Sequence, residues 1–344
     1  MRTTIRPSVP ADAKDIIELL AESGLQPNVE LQALNWKYWT RREDYSGARS
    51  FVATRGAKVL AHAGAVPGSF VRTSRRYTVL HLIDWAARST AAGVGVSLMK
   101  HVARLADALL AVGGSEQTRQ ILPHIGFQRC GTADGYVRVL HPLRVTGGSS
   151  ALSWKLPARL ARRALWRLAS PIVAPAGWSV SRVAPGGMTI LAEALPRAIA
   201  GTEVFERSEG LFRFMLDCPI VPMELYALKD PNEVRGYFLL AFAPGQARIA
   251  DCWVAADDSG ACQALMHHAA AQAWQRRDVT ELVCWSSDEV MTRSLRANGF
   301  HHRNQQPIFL RAAGLEEIAT RRVRVQMMDN DAAYFYHGFA ELWS

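Results

Sequence analysis

The chain has no acidic residue between Asp134 and Glu193. Within that stretch stand Arg138, Arg144, Lys155, Arg159, Arg162, Arg163, Arg167 and Arg182, which nearly account for the net charge of +9. The remainder is almost neutral, so the excess marks a local basic segment and not a basic protein. Cysteine is sparse: Cys130, Cys218, Cys252, Cys262 and Cys284 are scattered, with no C-x-x-C or Cys/His ligand spacing. That argues against a zinc site or a disulfide framework. His267–His268 and His301–His302 are adjacent pairs whose side chains diverge on a helix, so no metal is expected. No apolar run approaches the roughly 20 residues of a membrane span. The opening MRTTIRPSVPADAKDI lacks the apolar core of a signal peptide. A cytoplasmic location is the expectation.

What is present is a globular composition, 49% hydrophobic and 21% charged, over 344 residues. That length suits two domains of about 150 residues. An internal repeat supports the division. IDWAARSTAAGVGVSLM (83–99) aligns with ADCWVAADDSGACQALM (250–266), matching Asp84 with Asp251 and Gly93 with Gly260. Each copy leads to an apolar strand, ALLAVGG or ELVCWSS, and then to a short helical pattern closed by Gly-Phe. Those patterns, SEQTRQILPHIGF and DEVMTRSLRANGF, are of equal length.

Local patterning fits the repeat. TTIRP reads as a strand and AKDIIELLAES as an amphipathic helix opened by Asp12. RSFVATRG and KVLAHAGAV form a hairpin across Gly56, and YTVLHLIDWAA is a more buried strand leading into the glycine-bearing helix. The second half repeats the order, with a Pro-Asn turn between hairpin strands. The expected architecture is α+β, with boundaries near residues 142 and 195.

Between the halves lies a linker, residues 143–194, with Gly/Ser- and Pro/Gly-rich ends. Leu156, Leu160, Ala164 and Leu168 share one helical face, flanked by Trp154, Ala161 and Leu165. Lys155, Arg159, Arg162, Arg163 and Arg167 share the other. The first expectation is a helix strapping the halves together, its basic side to water. Peripheral docking on the inner face of a membrane, from Trp154 to Leu168, is the second. Nucleic acid is the least favoured partner, and oligomeric state is open.

Strand, G-x-G turn, helix, strand and a helix closed by Gly-Phe together resemble the GNAT acyltransferases, and two such units resemble the tandem GNAT proteins of bacteria. The resemblance implies two GNAT-like domains, 1–142 and 195–344, each a mixed, mostly antiparallel sheet flanked by helices and joined by the basic amphipathic linker. In that family a [QR]-x-x-G-x-[GA] turn holds the pyrophosphate of acyl-CoA on the amides of a helix N-terminus. Here the motif maps onto Thr90-Ala91-Ala92-Gly93-Val94-Gly95. Thr90 replaces the charged donor, with Arg88 a substitute nearby. The implied cofactor residues are Ala86, Ala87, Ala92, Gly93, Val94, Gly95 and Val96, and the implied co-substrate is acetyl-CoA or another acyl-CoA. The second copy reads Asp257-Asp258-Ser259-Gly260-Ala261-Cys262. Two carboxylates there oppose a phosphate and instead suit a helix start, so the second half is expected to be degenerate.

Acyl transfer to an amine needs a base, donors for the oxyanion and an acid for the thiolate. The family's frequent tyrosine acid maps onto Leu122 and Leu295, and Pro123 is expected to end its helix and turn His124 aside. Asp84 and Glu116 are the candidate bases, with His81 a weaker one. Trp36 and Trp39, one face of NWKYW, are candidate walls for a small-molecule acceptor, an amine or amino-sugar, although core packing is the commoner fate of such a pair. Two other readings stay open: a non-catalytic binding or scaffold protein, and a transferase that uses charged transfer RNA.

Overall fold

The computed structural model describes residues 2–25, 27–71, 75–142, 156–168, 175–254, 258–315, 318, 321–336 and 343–344. Apolar alternation in the first half yields β1 (Thr4–Pro7), β2 (Ser50–Arg55), β3 (Lys58–Phe70), β4 (Tyr77–Ala87), β5 (Ala108–Val112) and β6 (Gln128–Val139). Its helices are α1 (Ala13–Glu22), α2 (Leu31–Leu34), α3 (Val94–Val102) and α4 (Glu116–His124). The expected hairpin joins β2 to β3 across Gly56, whose φ of 62° suits glycine. Pro123 sits inside the last turn of α4, one residue further into the helix than expected.

A helix α5 (Leu156–Leu168) precedes the second half. There β7 (Ser179–Arg182), β8 (Thr202–Val204), β9 (Met223–Lys229), β10 (Val234–Ala243), β11 (Gly245–Val254), β12 (Val279–Ser286), β13 (His301–Arg311) and β14 (Arg322–Arg324) accompany α6 (Glu209–Leu216), α7 (Ser259–Gln275) and α8 (Glu289–Ala297). Twelve strands form one sheet in the order β1-β2-β3-β4-β5-β13-β6-β12-β11-β10-β9-β7. The order is palindromic under exchange of the halves. Its centre is a swap: β13 pairs with β5, and β6 pairs with β12. The two exchanged strands also pair with each other.

This exchange merges the interiors. Leu110 and Val137 from the first half pack in one cluster with Val283, Ile308 and Leu310 from the second. Flanking clusters bury α3 on one half and α7 on the other.

Helix α5 corrects an expectation. Arg163 is buried and donates to the His141 carbonyl. Arg162 lies over Trp166, which stacks on His301, and Arg167 lies over Trp274. Leu165 and Leu168, by contrast, are 66% and 83% exposed. These three arginines turn inward because guanidinium planes stack on tryptophan or bond carbonyls while their methylene stems stay apolar. Lys155 and Trp154 lie outside the described residues.

A shared central core predicts one cooperative unfolding transition. Leu310→Ala in β13 should lower stability by about 2–5 kcal/mol. Hydrogen exchange should report that loss equally in β5 and β12; two separable transitions would contradict the merged core.

Candidate functional site

Strand β4 pairs with β5 only from Val79 to His81. Beyond that point the two strands part, and residues 82–87 of β4 have no partner strand on the β5 side. A strand edge inside a sheet must satisfy its amides and carbonyls somehow, and a ligand can do so by pairing along it. The β3–β4 ladder also breaks here: Gly64 faces Ile83 and His62 faces Ala86, so Asp84 and Trp85 together oppose Ala63. Asp84 carries the positive φ of this bulge, 49°, a conformation that is costly for a non-glycine residue and clusters at functional sites.

The wedge leads to the start of α3. Gly93 caps the helix at φ 77°, which explains that glycine by backbone conformation alone. Gly95 has another reason: a Cβ there would stand 2.9 Å from Ala87 Cβ. It lets α3 pack on the end of β4. The Ala91 and Val94 amides are bonded within the turn, and Ser97 takes the Gly93 carbonyl. Among the described residues, the amides of Ala92, Gly93, Gly95 and Val96 have no backbone acceptor. They form a helix-start cradle of the kind that receives anions. Arg88 does not substitute for the missing donor at Thr90. It is held by Glu22 on α1 at 2.6 Å and by the Val59 carbonyl.

The equivalent wedge in the second half is filled by the chain itself. Strand β11 pairs with β12 only as far as Ile249. Beyond it, the Gln326 side chain bonds both the amide and the carbonyl of Cys252, each at 2.8 Å. Arg324 lies over Trp253 and pairs with Asp288 at 3.3 Å. At the helix start Asp258 accepts from the Gly260 and Ala261 amides, occupying the groups a phosphate would need. Asp257 lies outside the described residues.

Around each strand break sits a buried charge cluster. Lys37 reaches Asp84 at 2.6 Å and Asp331 at 3.0 Å, while Tyr38 donates to Asp84 at 2.6 Å. In the second half Arg207 contacts Asp251 and Asp329, both at 2.8 Å, and Tyr237 donates to Asp251. The matching of Asp84 and Asp251 in sequence is thus a matching of ion clusters. Burial works against the charge on Asp84, but Lys37 and Tyr38 outweigh it and hold the carboxyl below its usual range. Burial raises Asp331. Two carboxylates on one ammonium are pushed in opposite directions, and Asp331 is the better proton acceptor. Asp331 and Lys37 carry no sequence signal of their own.

Asp84 is also tied to a hydrogen-bond chain. Trp39 Nε1 donates to Ser8 Oγ, and Ser8 donates to Ser50 Oγ at 2.6 Å. Ser50 lies 2.9 Å from His62 Nε2, and His62 Nδ1 lies 2.9 Å from the Asp84 carbonyl. That carbonyl only accepts, which fixes the proton on Nδ1 and makes Ser50 the donor to Nε2.

The remaining candidates disperse. Glu116 is exposed in the first turn of α4, behind the Ser115 cap, and no hydrogen bond or ion pair joins it to Asp84 among the described residues. Trp36 is no acceptor wall: it is buried, stacked on Phe214 at 4.6 Å and edge-on to Tyr334, because the exchanged halves close over it. Trp39 does line a pocket of about 420 Å³. His81 is buried and accepts from Asn330. Leu122 and Leu295 are core residues, so no acid stands at either position.

No sequence-family model and no curated protein sequence matches the chain. Solved structures do. A tandem GNAT protein from the clavulanic acid biosynthesis pathway superposes with a TM-score of 0.54 at 13% identity, over 91% of this chain and 99% of that one. N-myristoyltransferase from Saccharomyces cerevisiae, with bound myristoyl-CoA, gives 0.59 at 12% identity, over 90% and 79%. A GCN5-related N-acetyltransferase from Anabaena variabilis gives 0.57 at 11%, over 90% and 73%. The fold is a tandem GNAT fold. In GNAT terms the open wedge and cradle belong to the first unit, and the filled wedge belongs to the second.

The buried histidines make the stability of this GNAT fold depend on pH. Burial pushes His62 from 6.5 down to about 4 and His81 down to about 3. Between those values and 6.5 the unfolded chain binds protons that the folded chain refuses, so stability falls as pH drops through that window. For His62 alone the loss is roughly 3 kcal/mol. His62→Gln should therefore flatten the decline between about pH 6.5 and pH 4. Urea unfolding across that range measures it; parallel declines in variant and wild type would remove His62 from the account.

Proposed function

We propose that the first half binds acyl-CoA and transfers the acyl group to a small-molecule amine or amino-sugar. The observation that carries this reading is the asymmetry of the wedges: the β4–β5 wedge has an unpaired edge and free amides at its end, whereas the β11–β12 wedge is filled by Gln326. The amides of residues 92–96 would hold the pyrophosphate. The acyl chain would then lie along β4, with its carbonyl at the bulge of Asp84 and Trp85. The amine nitrogen attacks the thioester carbon, the C–S bond breaks, and the nitrogen's proton passes to Asp331. Asp84, kept ionised by Lys37 and Tyr38, stabilises the positive charge on the attacking nitrogen. With Leu122 in place of an acid, water protonates the departing thiolate. Acetyl is the acyl group we favour, and 1–142 and 195–344 are the working domain limits.

A binding protein without catalysis is the second reading, supported by the burial of Leu122 and Leu295 and by Thr90. Transfer RNA draws no support from α5, whose Arg163 is buried and whose Arg162 and Arg167 lie over tryptophans.

Acetyl-CoA at about 100 times its dissociation constant should stabilise the protein by roughly 2.7 kcal/mol in thermal unfolding. Ala92→Glu, which places a carboxylate at an exposed position of the cradle, should remain folded and lose that shift. If neither acetyl-CoA nor longer acyl-CoAs shift the wild type, the binding-protein reading replaces ours. Asp331→Asn should lower kcat by about 10²- to 10⁴-fold with KM for acyl-CoA unchanged. Wild-type activity should rise with pH as Asp331 ionises. An unaltered pH profile in the variant would exclude it as the base.

A further inference from the structure

The 420 Å³ pocket that Trp39 lines has no Asp or Glu in its wall, yet three arginines, Arg41, Arg42 and Arg49, border it. Their charges are met very differently. Arg42 grips Asp44 through two nitrogens, at 3.0 and 2.6 Å. Arg49 is only 5% exposed, and among the described residues no carboxylate pairs with it. Its Nη2 bonds two carbonyls, those of Trp36 and Thr40. No described carboxylate bonds the rest of the guanidinium, since Asp44 is gripped by Arg42 and acts on it only through space, and burial together with the Arg42 charge pushes its pKa down to about 10. It still carries its charge at neutral pH. Arg41 is exposed and lines the same pocket, and among the described residues no carboxylate pairs with it.

A buried guanidinium that bonds only carbonyls, with its nearest carboxylate taken by another arginine, is an expensive arrangement unless an anion comes to it. The geometry is pre-organised for that. The Arg49 and Arg42 guanidinium carbons sit 4.9 and 5.3 Å from the Phe214 ring centroid, which fixes Arg49 beside its neighbour. Tyr38, Trp39 and Tyr45 supply aromatic wall around this charge. The volume suits one small molecule with an apolar body. The pocket also touches the strand break twice, through Tyr38 bonded to Asp84 and through the Ser8–Ser50–His62 chain ending on the Asp84 carbonyl.

We propose that this pocket binds a carboxylate of the acyl acceptor through Arg49 and Arg41, so that the acceptor is an amine bearing a carboxylate on an apolar or aromatic body. The assignment rests on the acyl-transfer reading for the word acceptor, but the anion site itself stands apart from it.

The test is binding of 3-phenylpropanoate, which has ring and carboxylate but no amine, against 3-phenylpropanamide, its neutral match. Both are titrated by NMR into the full chain without acyl-CoA. The carboxylate should saturate at millimolar concentration and bind at least about tenfold more tightly than the amide. Arg41→Gln, at an exposed position, should weaken it several-fold, and Arg49→Gln more, with Arg49→Lys in between. Equal binding of amide and carboxylate, no saturation, or unchanged affinity in Arg41→Gln each overturns the site. If Arg49→Gln fails to fold, the matched ligands and Arg41→Gln still decide. Weakened acetyl-CoA binding in Arg41→Gln, with 3-phenylpropanoate unaffected, would reassign the arginines to a CoA phosphate and overturn the proposal. Saturable carboxylate binding without any acyl-CoA shift would leave the anion site standing and remove the transferase.

Discussion

Strands at the middle of a wide sheet must find hydrogen-bond partners on both sides, and in this chain β5 and β12 find theirs in the opposite half. The central quartet β5-β13-β6-β12 is held by that exchange. It makes one sheet of twelve strands and one central core out of two repeats. It also carries the chain that follows β13 back across the centre, beside both strand breaks. Asp331 then reaches Lys37 in the first half, and Asp329 reaches Arg207 in the second.

That returning segment separates the fates of two similar units. Gln326 presents an amide with a donor and an acceptor, the pair that an unpaired strand residue needs, and Cys252 takes both. Along 82–87 of the first half no described side chain bonds both an amide and a carbonyl of one residue; His62 meets only the Asp84 carbonyl. The charge clusters differ in the same direction. Asp251 and Arg207 are sealed at 0% and 4% side-chain exposure, whereas Asp84 and Asp331 keep 12% and 19%. One copy has become interior structure while the other keeps a route to solvent.

The strand, turn and helix of each repeat were legible because they are local: glycine at a positive φ, the largely apolar run of β4, an aspartate cap before α7. Core packing of Trp36 was the commoner expectation for such an aromatic pair, but its partners Phe214 and Tyr334 were not legible, since they are remote in sequence. Lys37, between two tryptophans in NWKYW, gave no hint of its two carboxylates. Helix α5 shows the limit of periodicity most plainly. The pattern told which residues share a face, but arginine can turn inward where tryptophan rings and carbonyls receive it.

From the sequence alone came the repeat, the α+β class, the glycine turn at Gly93 and Gly95, and the aspartates at the matching helix start of the second copy. Only the tertiary structure decided which strand edge is filled, which of the two carboxyls on Lys37 burial raises, and which arginines bond no carboxylate among the described residues. The difference is one of range. Backbone conformation and helix capping depend on the few residues next to them in sequence. A pKa, a filled strand edge or a charge that bonds no carboxylate depends on what folding brings alongside, from 74 residues away at Gln326 and Cys252 to 294 at Lys37 and Asp331.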